Sequence, residues 1–468
     1  MERFKKTVSQ LYPWLLKPET IKKATTAFIF CFIFCTAVSI YFNIRTPLNQ
    51  NFAYFLGEKK DFSINFLYLS DIFSILALSI LCLHVHKFNK EPNIYLPSFF
   101  PTLIIILSVF SYFSNFIKLT IPTISIFYLL YIAKGIVLHE TVKQSGTSIK
   151  NFILRVIWIF GLFEAFVSII QFSFQSPLGM RLLGEPTFGP YLWQIAKVEA
   201  LGQIFARPYG TFSHPNILSA FLVLTLIIGF YYYYSQAAQT KKAWAHLILV
   251  QITVIGLFLS FSRAAWLAAA LATGFFHVFT WNILKSQKRV QLFRIFIVSA
   301  ALGCILLAIY QPFVGQRGNV FDKAYQERIS YNRAAVSMIS KNPIFGLGPG
   351  ESVLHMEQFL TPNSKPWEVQ PIHNYYLLLA AEIGLPAALL FSLYLGFTLK
   401  RLVFHQGKLT DKNTLTHALL LSGLAGCAIL MFFDHYFYTI QASTLLFWIW
   451  LGLSASTTEY PANKTRTT

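Results

Sequence analysis

The chain has 468 residues, of which 55% are hydrophobic and 12% charged, with a formal net charge of +19. Soluble domains carry about 25% charged residues, so half that share makes lipid the main solvent and excludes an ordinary soluble enzyme. The basic residues are scattered over short segments between apolar runs, which fits positive-inside loops and anionic lipid rather than a nucleic-acid-binding face.

Apolar runs long enough to cross a bilayer recur along the whole chain. Twelve spans are expected, near residues 24–42, 62–84, 99–116, 119–138, 151–172, 217–235, 243–261, 264–284, 293–312, 373–398, 416–434 and 438–456. The predicted fold is thus an all-α polytopic membrane protein. No ten-residue alternation marks an outer-membrane barrel. The first run lacks a small-x-small cleavage site and reads as an anchor rather than a signal peptide. The five cysteines, Cys31, Cys35, Cys82, Cys304 and Cys427, all fall inside apolar runs and read as packing residues.

Lysine and arginine recur in alternate loops, among them Lys143 and Lys150, Lys241 and Lys242, Lys285 to Arg294, and Lys400 to Lys412. Those loops are expected to be cytoplasmic, which leaves two long connections, 173–216 and 313–372, on the outer side. The second is too long for a passive connector. A helix is expected from Tyr325 to Ile339, with Ile329, Ala335, Val336 and Ile339 on its apolar face. Asn342-Pro343 would stop it, and Gly346-Leu-Gly-Pro-Gly350 would turn the chain. Three regions follow: 1–150 with about four spans, 151–456 with the remaining spans and the long outer loops, and a polar tail at 457–468.

Polar motifs collect at the outer side of this topology. Arg207-Pro-Tyr-Gly-Thr-Phe-Ser-His214-Pro-Asn216 precedes the sixth span, and Ser260-Phe-Ser-Arg263 precedes the eighth. Glu327-Arg328 lies in the long loop, and His373-Asn374-Tyr375 opens the tenth span, with Glu382-Ile-Gly-Leu-Pro386 further in. Asp434-His435-Tyr436 separates the last two. Three of these motifs begin helices that run inward, where free N–H groups and the helix dipole favour anions. Arg207, Arg263 and Arg328 would add guanidinium groups suited to phosphate oxygens. His373 could take a proton from an incoming hydroxyl.

Plainer roles exist for each residue. Arg263 can be an interfacial anchor and His373 an interfacial polar side chain, while His214 can cap the next helix. Asp71, Glu164 and Glu382 lie within spans, either as counter-ions or along a substrate path. Tyr231–Tyr234 reads as an interfacial belt. The shared face is what favours the functional reading.

Together these motifs resemble the O-antigen ligase family, over roughly residues 150–456. The resemblance implies a membrane glycosyltransferase that moves a glycan from undecaprenyl diphosphate to an acceptor hydroxyl, with no cofactor and no required metal. It implies His373 as catalytic base and Arg207, Arg263 and Arg328 on the diphosphate, with His214, Asn216, Asn374, Glu382 and Asp434 in support. The setting implied is the bacterial cytoplasmic membrane, with the site facing the periplasm or exterior. The partners implied are the lipid-linked donor, a lipid or glycan acceptor and the bilayer. A ligase is the leading reading, with a polymerase or a protein O-oligosaccharyltransferase as alternatives. A polysaccharide transporter or flippase is the non-enzyme alternative, and it would call for inverted repeats and broken helices at mid-membrane.

Overall fold

The computed structural model describes residues 41–42, 67–68, 99–115, 122–192, 195–286, 288–317, 323–360, 369–404 and 411–456. Its helices are α1 Phe99–Asn115, α2 Pro122–Gln144, α3 Thr147–Phe174, α4 Pro215–Tyr234, α5 Lys241–Leu259, α6 Arg263–Ser286 and α7 Arg289–Ile309. They continue as α8 Gln311–Arg317, α9 Lys323–Lys341, α10 Ser352–His355, α11 Tyr375–Ile383 and α12 Leu385–Phe404. The last are α13 Asp411–Met431, α14 Tyr436–Thr439 and α15 Gln441–Ser456. Two antiparallel pairs complete the fold, β1 Tyr41–Phe42 with β2 Leu67–Tyr68 and β3 Lys197–Ala200 with β4 Gln203–Ala206.

Among the described residues, seven helices are long and apolar enough to cross a membrane: α3, α4, α5, α6, α7, α12 and α13. The chain is therefore a multi-pass helical membrane protein. The expected spans at 24–42 and 62–84 lie outside the described residues apart from β1 and β2, as do Asp71 and the tail at 457–468. The expected span at 373–398 is broken. α11 ends at Ile383, Gly384 takes a φ of +99°, and α12 starts at Leu385. Hydropathy is blind to that break, because both halves are apolar.

α4 runs through the middle of the bundle and is buried along nearly its whole length. α15 is also enclosed and packs along α2, and α13 lies between α6 and α15. α7 is the opposite case, with only Gln291, Ile295 and Leu306 buried. Its remaining apolar surface is the kind that lipid covers.

Tyr231 to Tyr234 correct an expectation, for they are no lipid-facing belt. Tyr233 and Tyr234 are fully enclosed. The Tyr233 hydroxyl donates to the Gln291 carbonyl, and Tyr234 pairs with His277. A phenol buried in an apolar bundle needs such a partner. Lys288 donates to the Gln236 carbonyl and Arg294 to that of Ala238. These contacts gather the basic turns at one end of the bundle. Arg207, His214, Ser260 and Asp434 stand at the other.

Candidate functional site

The Arg207 segment is shaped from below by α3. Glu164 and Gln171 lie seven residues apart, two turns on one helix face. Glu164 accepts from the Thr211 backbone N–H at 2.9 Å and from its hydroxyl. Gln171 accepts from the N–H groups of Tyr209 and Gly210 and donates to the Gly210 carbonyl. Gly210 has a φ of +60°, and a Cβ there would collide with the Glu164 carboxylate. Glu164 is thus an anchor for this loop. Glu185, on the same connection, accepts from Gln171 and from the N–H groups of Leu178 and Met180.

The β3–β4 hairpin leads into Arg207, whose N–H donates to the Ala196 carbonyl at 2.9 Å. The guanidinium then ties the end of its own motif to the Ser260 turn. Its Nε donates to the Ser260 carbonyl at 2.7 Å, and its terminal nitrogen to Asn216 Oδ1 at 2.8 Å. Asn216 passes the contact on, donating to Asp434 Oδ2 at 2.8 Å. Residues 207 and 216 of one motif, 260 of a second and 434 of a third become one chain of hydrogen bonds. His214 caps α4, with its Nδ1 accepting from the Asn216 N–H.

The Ser260–Ser262 turn takes an unusual backbone. Phe261 has a φ of +49°, a conformation that costs a side-chain-bearing residue about 1–3 kcal/mol. Its ring, 1% exposed, packs on Phe172 and Phe313, with centroids 5.3 and 5.5 Å away. That aromatic socket holds the bend that aims the Ser260 carbonyl at Arg207 and starts α6 at Arg263.

His373 lies just before α11, which Asn374 caps by accepting from the Leu377 N–H. The Pro371 carbonyl sits 2.9 Å from His373 Nδ1. A carbonyl can only accept, so Nδ1 carries the hydrogen and the neutral ring keeps its lone pair on Nε2. Tyr331 of α9 stacks on the ring at 5.4 Å, and His435 meets it edge-on at 4.8 Å.

The electrostatics follow from one buried carboxylate among imidazoles and a guanidinium. Burial pushes His373 below the usual imidazole range, against the pull of Asp434. Burial likewise brings His214 down to about 3, helped by Arg207, and His435 down to about 3 in spite of Asp434. Burial tends to raise Asp434, but His435, His373 and the Arg328 charge outweigh it and hold the carboxyl at about 2. At neutral pH the cluster therefore holds neutral imidazoles and one carboxylate. Arg328 Nε is buried and has no hydrogen-bond partner among the described residues.

His373, Asp434 and His435 also present ligand atoms within 4.8 Å of one another, a spacing that could hold a metal ion. Two of the three are already engaged, however. Asp434 takes hydrogen bonds from Asn216 and the His435 N–H, and His435 Nδ1 pairs with the Thr439 hydroxyl. The Arg328 charge acts on all three residues and would oppose a dication.

Glu382 has a different occupation. It accepts from the Gly350 N–H at 2.6 Å and from the Ser352 hydroxyl at 2.6 Å. The Leu347 and Gly348 N–H groups donate to the carbonyls of Ala381 and Glu382, and the Leu385 N–H donates to that of Pro343. The Gly346–Gly350 turn is thereby laid onto the break between α11 and α12. The helix expected at Tyr325–Ile339 exists as α9, but it is rotated from the expected face. Tyr331, Ala334, Ala335 and Met338 are buried, while Val336 is exposed. Tyr331, Gln171 and the Ser260 carbonyl were not legible as site residues. Only the one-turn spacing from Arg328 to Tyr331 hinted that both share a face.

The family model described as O-antigen ligase matches residues 247–392. That stretch runs from α5 into α12 and contains Ser260–Arg263, Arg328, His373 and Glu382; Arg207 and Asp434 lie outside it and join it through hydrogen bonds. Comparison with curated proteins returns no match. The match gives the chain an O-antigen ligase domain over residues 247–392, and with the motifs it supports a membrane glycosyltransferase of the O-antigen ligase and polymerase type.

Proposed function

We propose that the protein is an O-antigen ligase that transfers a glycan from undecaprenyl diphosphate to an acceptor hydroxyl at the outer face of the bacterial cytoplasmic membrane. Residues 151–456 would form the catalytic region, and 1–150 would supply N-terminal membrane helices. One observation carries the reading. A neutral histidine with Nε2 as its free base stands in the same cluster as a bound arginine and an arginine whose buried Nε lacks a partner among the described residues.

In this reaction the acceptor oxygen attacks the anomeric carbon, its proton passes to His373 Nε2, and the anomeric bond to the diphosphate breaks. Undecaprenyl diphosphate leaves with the bonding pair. Arg207, Arg263 and Arg328 stabilise the charge that grows on the departing diphosphate. Asp434 and Asn216 hold Arg207, Asn374 fixes the start of α11 beside the base, and His214 caps α4. Glu382 supports the site through the loop it anchors. Because guanidinium groups meet the diphosphate charge, no metal is required.

The test incubates purified protein with an undecaprenyl-diphosphate-linked oligosaccharide and, separately, lipid A core, a second lipid-linked unit or a serine-containing acceptor peptide. Transfer to lipid A core, undiminished by EDTA, is the expected result. Transfer only to the second lipid-linked unit makes the protein a polymerase, and transfer only to the peptide makes it a protein glycosyltransferase. Loss of activity on EDTA treatment with recovery on adding a divalent cation overturns metal independence.

A further inference from the structure

α9 differs from the other long helices of the described chain. It is polar over most of its surface and is not among the helices suited to cross a membrane. Its buried stripe is Tyr331, Ala334, Ala335 and Met338, the i, i+3, i+4, i+7 spacing of one helix face. This stripe packs α9 against α11. Arg328 stands one turn before Tyr331 on the same side, so a single docking surface carries both the guanidinium and the ring.

The Tyr331 side chain, 3% exposed, lies nearly parallel to the His373 ring, with an interplanar angle of 16°. His435 closes the edge at 88°, and the Pro371 carbonyl takes the Nδ1 hydrogen. An imidazole has two torsions. A stack on its face, a ring at its edge and a hydrogen bond at one nitrogen leave it one orientation, with Nε2 as the remaining nitrogen. Two of those three contacts, the backbone carbonyl and His435, come from the region around α11 and from the α13–α14 turn. The third is brought by a helix in the long loop.

We infer that Tyr331 is a positioning residue for His373, and that α9, by carrying Tyr331 and Arg328 on one face, seats the base by the same docking that presents Arg328 to the diphosphate. This rests on the reading of His373 as base given above. The ring plane of Tyr331 does this work, and its hydroxyl is dispensable. Charged and titratable groups that face His373 are Asp434 and His435 from the α13–α14 turn, Arg328 from α9 and His214 from the start of α4. A change of Tyr331 to phenylalanine or leucine leaves the side chains of all four in the sequence, and the phenylalanine variant separates the stack from whatever the hydroxyl does.

The experiment measures steady-state transfer by full-length protein, with an undecaprenyl-diphosphate-linked oligosaccharide as donor, for Tyr331→Phe, Tyr331→Leu, His373→Ala and the double variant Tyr331→Leu/His373→Ala. Tyr331→Phe keeps the stack and should stay within about twofold of wild type. Tyr331→Leu keeps comparable bulk without the aromatic plane, and its kcat should fall about tenfold or more with the donor KM little changed, since loss of a well-placed base contributes on the order of 10²–10⁴-fold. In the His373→Ala background the leucine substitution should have no further effect.

Rescue by phenylalanine, together with the split between kcat and KM, separates positioning from damage to the fold. Tyr331→Leu at the wild-type rate overturns the inference, and so does an equal loss of rate from it in the His373→Ala background. A His373→Ala enzyme with wild-type kcat removes the base assignment itself, which is a different failure read from a different variant. A phenylalanine variant as impaired as leucine, with a normal donor KM, transfers the role to the hydroxyl and overturns the claim for the stack.

Discussion

Arg207 spends two of its donors on the protein itself, on the Ser260 carbonyl and Asn216 Oδ1. A lysine has one nitrogen on a flexible stem and cannot hold both partners while facing a diphosphate. Arg207→Lys should therefore lose roughly 10–100-fold in kcat/KM, since a charge-assisted hydrogen bond contributes about 1.5–3 kcal/mol. Steady-state transfer by folded, monodisperse enzyme checks this, and full activity in the lysine variant would show that the fork geometry is immaterial. The arginine and its motif could be read from sequence. Its partner in the Ser260 carbonyl could not, because a backbone oxygen has no sequence signature.

The buried histidines set an acid limit on stability. His214 and His435 are held at about 3, whereas an unfolded histidine titrates near 6.5. Below that value the unfolded chain binds protons that the folded chain refuses, so the folded state loses stability as pH falls from 6.5 toward 3. Asp434, held at about 2, adds a further loss as pH falls below its ordinary 3.8. Thermal melting in detergent should drop steadily over the first window. The double variant His214→Asn/His435→Asn should flatten the curve there, since asparagine carries no titrating group and still caps the start of α4. An unchanged slope in the double variant would mean that other groups govern the acid limb.

At the scale of elements, the informative feature is the join between the Gly346–Gly350 turn and the α11–α12 break. Both stretches stand out in sequence by their glycines and prolines, but nothing in sequence says that they touch. A Cβ on Gly384 would collide with the Ile344 carbonyl, and the φ of +99° already disfavours any side chain. Gly384→Ala should lower the amount of folded protein sharply, by the several kcal/mol that backbone collision and strain together imply. Gly396→Ala, with open space around its Cβ, is the matched control. Size-exclusion profiles of the two variants decide the matter, and indistinguishable profiles would refute the close approach.

The same join explains why the tenth span, read from hydropathy, is too long. Hydropathy sums side chains, whereas the break is dictated by backbone angles and by loop N–H groups that need the carbonyls of Ala381 and Glu382. The β3–β4 hairpin escapes the sequence for another reason. Its turn is Leu201-Gly202, with φ values of +53° and +74°, and a leucine there lacks the usual turn chemistry. The α5–α6 turn, by contrast, is legible, because two crossings have to fit around a single polar break.

At the scale of the molecule, the bundle has a basic end and a motif end, and the positive-inside rule assigns the first to the cytoplasm. A cysteine at the exposed Ser213 should react with an impermeant thiol reagent in spheroplasts, while one at Lys288, held at the basic end, should react only after the membrane is opened. The reverse pattern would invert the topology. The apolar runs make the membrane class plain from sequence. The enclosed positions of α4 and α15 are not plain, because an all-round apolar helix reads the same facing lipid or protein.

Phe261 carries a consequence for how this site can vary. Its backbone angle suits glycine, yet its ring fills the socket formed with Phe172 and Phe313. The two demands select opposite residues. A saturation library at this position, screened for transfer, should return phenylalanine, tyrosine and tryptophan and discard glycine. The bend would thus be kept by a residue the backbone disfavours. Its neighbours could drift only in step with it, because a smaller ring at 172 or 313 empties the socket that makes the angle tolerable.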